Sequence, residues 1–155
     1  MKNRALKTFG IAAAVLGATV FTAGPAAAAG AWQSVSTNSN WDCDDYVAHK
    51  LSVNIKFKTC VVRNANNDAQ GVLVVQNSGT KVANIRGEVT AGGYTPGGAF
   101  RHSHGTCKFA DLLPGQTRGC FGYNVAGTVN LDVDTALWMN GSDSDVHLSR
   151  GSNNG

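Results

Sequence analysis

Glutamate is almost missing from this chain: Glu88 is the only one in 155 residues. That shortage lowers the case for a carboxylate pair of the glycoside-hydrolase kind, although aspartates leave it open. No Cys-x-x-Cys element occurs, which argues against structural zinc and thioredoxin-like redox chemistry. Gly-x-Ser-x-Gly is also absent, so there is no serine nucleophile elbow. No apolar run reaches the roughly 20 residues needed to span a bilayer as a helix.

The longest apolar run covers residues 9–21 and follows Lys2, Arg4 and Lys7. Gly24, Pro25 and the alanines of 26–29 come next. A charged start, a short apolar stretch and a small-residue cleavage site read as a secretory signal peptide over residues 1–29. Cleavage is expected after Ala29, with Ala28 as the alternative. No adjacent arginines precede the run, which argues against the twin-arginine route. No cysteine sits near the cleavage site to carry a lipid anchor. The expected location is therefore secreted and extracellular, with no membrane anchor.

Without Lys2, Arg4 and Lys7 the remaining chain holds ten basic and ten acidic residues. The excess of positive charge belongs to the export signal. A balanced domain has no general electrostatic pull on nucleic acid or anionic lipid, and neither is expected as a partner. Glycine is abundant beyond residue 29, with 16 positions, and charged residues are sparse. That composition favours strands and turns over helices.

Four cysteines remain: Cys43, Cys60, Cys107 and Cys120. In an oxidising compartment an even number reads as two disulfides. Pro114-Gly115 is a strong turn signal near the midpoint of Cys107 and Cys120. If both flanks are strands, the two cysteines face each other across a hairpin at a separation that suits a bridge. By elimination Cys43 pairs with Cys60.

Residues 30–40 are small and polar apart from Trp32 and Val35, and read as a flexible arm. A domain is expected over 41–149, and residues 150–155 read as a disordered tail. Leu51, Val53, Ile55 and Phe57 alternate with polar residues, as do Val129, Leu131, Val133, Thr135 and Leu137. These are period-two strands. Further short strands are expected over 59–63, 71–76, 82–90, 100–113, 116–125 and 144–149, separated by turn residues. Such spacing predicts an all-β antiparallel sandwich.

The stretch of residues 74–89, Val-Val-Gln-Asn-Ser-Gly-Thr-Lys-Val-Ala-Asn-Ile-Arg-Gly-Glu-Val, resembles a strand–turn–strand of bacterial immunoglobulin-like domains. Cys107, Leu113-Pro-Gly-Gln-Thr117 and Cys120 are similar to a hairpin common in them. The resemblance spans roughly residues 71–125. It implies an immunoglobulin-like β-sandwich with two disulfides and says nothing of activity.

Several constellations invite chemistry. His102 and His104 alternate on a strand and so share a face, a two-ligand start for a transition metal. His49 or His147 would have to supply a third ligand. The simpler reading is two exposed histidines, and no metal or cofactor is expected. A copper monooxygenase requires histidine at the mature N-terminus, where Gly30 or Ala29 would stand. A copper–zinc superoxide dismutase requires more than four histidines. Asp132 and Asp134 share a face opposite Leu131 and Val133, and Asp143 and Asp145 follow. Calcium favours such oxygens, but no EF-hand loop is present, and a solvated strand face accounts for them. Asn140-Gly141-Ser142 fits a glycosylation sequon or a turn.

Trp32 and Trp41 lie in or beside the arm, where aromatics concentrate binding energy, and are the candidate partner-binding residues. The competing reading packs Trp41 under the Cys43 bridge and folds Trp32 back onto the sandwich. The expectation drawn is a secreted, non-enzymatic binding or adaptor module engaging a protein partner through residues 30–41. The layout of signal peptide, short arm and one disulfide-bonded β domain resembles the adaptor subunits of streptomycete umbrella toxin particles. That resemblance implies a large secreted scaffold protein and a lectin as partners, and a role in competition between bacteria. The alternatives are a small metal protein or enzyme using His102 and His104, or an inhibitor or carbohydrate-binding module. The last would need exposed Trp138 or Tyr94 as a platform.

Overall fold

The computed structural model describes residues 29–37, 41–64, 66, 68–141 and, as backbone only, 146–153. The expected signal peptide therefore lies almost wholly outside the described residues, as do Ser142, Asp143 and Asp145. The strands in chain order are β1 (Trp32–Ser34), β2 (Trp41–Cys43), β3 (Val47–His49), β4 (Ser52–Arg63), β5 (Ala69–Asn77), β6 (Ala83–Tyr94), β7 (Phe100–Leu112), β8 (Thr117–Phe121), β9 (Asn130–Met139) and β10 (Val146–Asn153).

They form two antiparallel sheets. One has the order β1-β8-β5-β4-β2, with β3 also paired to β4, and the other has the order β10-β9-β6-β7. The chain is an all-β sandwich with two disulfides. Burial alternates along the whole of β6, as a strand with one face inward requires. Ile55, Phe57, Leu73, Ile85, Val89, Leu112, Leu131 and Leu137 fill the space between the sheets. Polar latches join the sheets through that core. Thr59 and Thr135 share a hydrogen bond of 2.7 Å between their hydroxyls. Asn77 donates its side-chain amide to the Leu112 and Lys81 carbonyls, at 3.0 and 2.8 Å. At the other end, Arg63 donates to the Thr128 carbonyl at 2.8 Å.

β5 departs from alternation because both of its faces are covered. Its outward residues Val72 and Val74 join Cys60 and Phe121 in a second buried cluster. The cover includes Val35 and Trp41, at and beside the segment 30–40 that the sequence assigned to a flexible arm. Gly30 donates its backbone N–H to Phe121, and β1 continues the ladder along β8. The chain then passes to the opposite edge, where β2 pairs with β4. Val35 packs against the second cluster, and Lys58 donates to the Thr37 hydroxyl at 3.3 Å. Trp41 meets Phe121 edge-on at 6.0 Å. The segment is thus a strap over one face of the sandwich; residues 38–40 lie outside the described residues. Each fully buried Val or Phe beneath it contributes about 1.5–3 kcal/mol.

Both disulfides pair as expected, Cys43 with Cys60 and Cys107 with Cys120. The expected hairpin around the second does not form. β7 pairs with β6 in one sheet and β8 with β5 and β1 in the other. The Leu113–Gln116 turn is therefore an arch from sheet to sheet. Cys107–Cys120 crosses the core, with both residues fully buried. Cys43 and Cys60 sit directly opposite each other on β2 and β4, with Cα atoms 4.0 Å apart. The tail expectation also shifts: residues 150–153 pair with β9 in register.

Candidate functional site

Trp32 and Trp41, the expected partner-binding residues, are half-buried parts of the fold. Trp32 sits beside Cys120 in the β1–β8 ladder and turns its ring into the core. A Cβ on Gly87 would come within 3.0 Å of that ring, so glycine makes its seat. The indole N–H donates to the Lys108 carbonyl at 2.9 Å. Trp41 covers Phe121 from the outer side.

The outer face of the β6–β7–β9 sheet carries the next candidates. His102 and His104 share this face, as alternation predicted. His104 is held between two hydroxyls, Thr90 at 3.1 Å and Thr106 at 3.2 Å. No group of three His, Cys, Asp or Glu side chains is poised for a metal among the described residues. His49, named as a third ligand, lies far from the pair in the core, 2 % exposed. Its Nδ1 accepts from the Leu51 N–H, and Nε2 meets the Leu137 carbonyl, both at 3.2 Å. Burial lowers its pKa; the Leu137 hydrogen bond opposes that, and the Lys50 charge adds to it. Asp132 and Asp134 stand exposed opposite buried Leu131 and Val133, as expected.

One end of this face is aromatic. Tyr94 and Phe100 pair directly across β6 and β7, with ring centroids 5.1 Å apart. They are 54 % and 56 % exposed. The Phe100 ring lies over Gly92, where an added Cβ would fall 2.8 Å from its Cζ. His102 continues the row, nearly parallel to Phe100 at 6.3 Å. Trp138, the other expected platform, is half-buried and has Arg86 over its ring at 4.3 Å. Arg86 in turn is ion-paired with Glu88.

The opposite end holds an open groove of about 380 Å³ lined by Leu51, Ile55, Val82, Ala83 and Met139 among others. Val53 belongs to the inward series with Ile55 and Phe57, yet it is 75 % exposed. Leu51 and Val82 beside the groove, and Leu113 in the β7–β8 arch, are about half exposed. The sequence pattern marked Val53 as inward; nothing in it showed that this position stays outside the core, which is closed here by Ile55, Ala83 and Met139. Asn140 at the groove's rim has φ of 55° and accepts the Asn84 N–H through Oδ1, so it makes the turn leaving β9.

Two disulfides fit an oxidising, extracellular setting, and no helix among the described residues is long and apolar enough to cross a membrane. No protein-family model matches the chain, and no curated protein or solved structure matches it.

Proposed function

We propose that the chain is an exported, non-enzymatic adaptor that docks a protein partner at the grooved end of its sandwich. One observation carries the reading: Leu51 and Val82, each about half exposed, line an open groove at this end, and Val53, two residues from Leu51, is 75 % exposed. Exposed apolar side chains gathered at one place mark interaction surfaces, whereas scattered ones do not. Burial of these side chains would supply the association energy. This reading sets aside the expected route through residues 30–41, since Val35 and Trp41 pack against Val72, Val74 and Phe121.

The test is purification of the tagged, naturally exported protein from culture medium. A stoichiometric companion is expected to co-purify. It should be lost with Val53→Asp and Leu51→Asp, which leave the core untouched, and kept with Phe100→Ala. A lone monomer would overturn the reading. A companion with the size of a large secreted scaffold would extend it to the antibacterial toxin assemblies that the layout resembles.

A further inference from the structure

We propose that the aromatic end of the outer β6–β7–β9 face binds a neutral sugar, with a pyranose ring stacked on Phe100 and bounded by Tyr94 and His102. The inference goes beyond the adaptor reading and uses a different surface. β6 runs from one end to the other, Ala83 to Tyr94, so the groove and the aromatic row are about 35 Å apart.

Three features carry it. The Phe100 ring is seated on the backbone of Gly92, and the Tyr94 ring is tilted 58° to it. Together they form a floor and a side wall that need no rearrangement to receive a flat apolar face. A pyranose with equatorial hydroxyls offers such a face of C–H groups and a polar rim. Hydrogen-bonding groups stand where that rim would fall. Asp132 is directly opposite Gly92 on β9, and His102 directly opposite it on β7. Asp132 is a strong acceptor for hydroxyl donors.

Charge selects the ligand class. Among the described side chains of β6, β7 and β9, the outward positions at this end are Thr90, Gly92, Tyr94, Phe100, His102, His104, Asn130, Asp132 and Asp134, while exposed Arg101 belongs by alternation to the other side of β7. No lysine or arginine is among them, while two carboxylates are. A phosphate, sulfate or uronate ligand would meet like charge, and a neutral sugar meets none.

The test is calorimetric titration of the full exported protein with cellohexaose and chitohexaose, with heparin as a polyanion control. At least one neutral hexaose is expected to bind. Phe100→Ala should weaken it by about tenfold or more, and Tyr94→Ala and Asp132→Asn by a smaller factor. Gly92→Ala keeps every aromatic and displaces the Phe100 ring, and should weaken binding as well. Val53→Asp should leave sugar binding unchanged. Failure of both hexaoses to bind the intact protein, unchanged binding by Phe100→Ala, or a preference for heparin would each overturn the proposal. The co-purifying companion lost with Val53→Asp would survive any of these results, so the two readings fail separately.

Discussion

Trp32 and Lys108 lie 76 residues apart and are joined by a hydrogen bond from the indole N–H to the backbone carbonyl. The bond ties the edge strand of one sheet to the edge strand of the other, since β1 borders β8 and β7 borders β6. The ring beneath it fills the space that Gly87 leaves. Trp32 therefore closes a side of the sandwich.

Replacing Trp32 tests that role. Trp32→Ala should lower stability by about 2–4 kcal/mol, through the lost burial and the void left against Gly87 and Leu73. Trp32→Phe keeps most of the apolar contact and loses the N–H, so its cost should be about 1 kcal/mol. Denaturant unfolding of both variants checks the order. Equal and negligible effects would return Trp32 to the role of a free partner contact.

The two disulfides should differ in what their removal releases. Their sequence separations, 17 and 13, differ by too little for chain entropy to distinguish them by more than about 0.2 kcal/mol. Cys107–Cys120 crosses the core, whereas Cys43 is half-buried at an edge. Replacing Cys107 and Cys120 by alanine should cost about 2–5 kcal/mol and loosen both sheets. Replacing Cys43 and Cys60 should cost less and raise hydrogen exchange first in β2 and the strap. Exchange measured by mass spectrometry on the two double variants distinguishes these patterns.

Alternation gave the face of β9, and that of β4 at Ile55 and Phe57 though not at Val53, because a strand has a fixed period of two, and one buried face fixes it. It placed His102 with His104, and Asp132 with Asp134, correctly. The cysteine pairs were legible too, but the hairpin behind one of them was not. Pro114-Gly115 encodes a reversal, and Gly115 has φ of 77°. A reversal within one sheet and an arch between two share that local chemistry, and only packing decides between them. The strap was hidden for a related reason. Residues 30–40 carry few apolar side chains, yet Trp32 and Val35 are the ones that anchor it, and a polar segment with spaced apolar residues fits a covering strand as well as a loose arm. The aromatic row needed the β6–β7 register, which pairs Tyr94 with Phe100, and Tyr94 falls outside the strand expected over 82–90.

Gly105 should resist substitution. A Cβ on Gly105 would lie 2.9 Å from the Gly122 Cα and 3.0 Å from the Phe121 carbonyl oxygen. Those are backbone atoms of the facing sheet, close to where Cys107–Cys120 crosses it, and they have no rotamer to change. Gly105→Ala should cost about 1–3 kcal/mol. Gly97 is the control: its nearest neighbour would be 3.9 Å away, in ordinary contact, and its φ is not positive. Gly97→Ala should be neutral or stabilise by about 0.5 kcal/mol. Thermal midpoints of the two variants measure the contrast.

His49 sets a pH dependence whose sign follows from its bonds. The Leu51 N–H donates to Nδ1, so in the folded protein Nε2 carries the hydrogen and donates to the Leu137 carbonyl. Protonation would put a second hydrogen on Nδ1, against the Leu51 N–H, and a charge in the core. Burial lowers the folded pKa below the unfolded value near 6.5, so the unfolded chain takes up the proton first. Stability is therefore full above about pH 6.5 and falls as pH drops through that value towards the folded pKa. Within the window the slope is at most about 1.4 kcal/mol per pH unit for one proton. Below the folded pKa, both states carry the proton and this contribution stays constant. Urea unfolding at half-unit steps from pH 8 to pH 5 should show the decline in the wild type. His49→Gln does not titrate, and should show a flatter profile at lower overall stability. A wild-type curve level across that range would mean that His49 is not held neutral between the sheets.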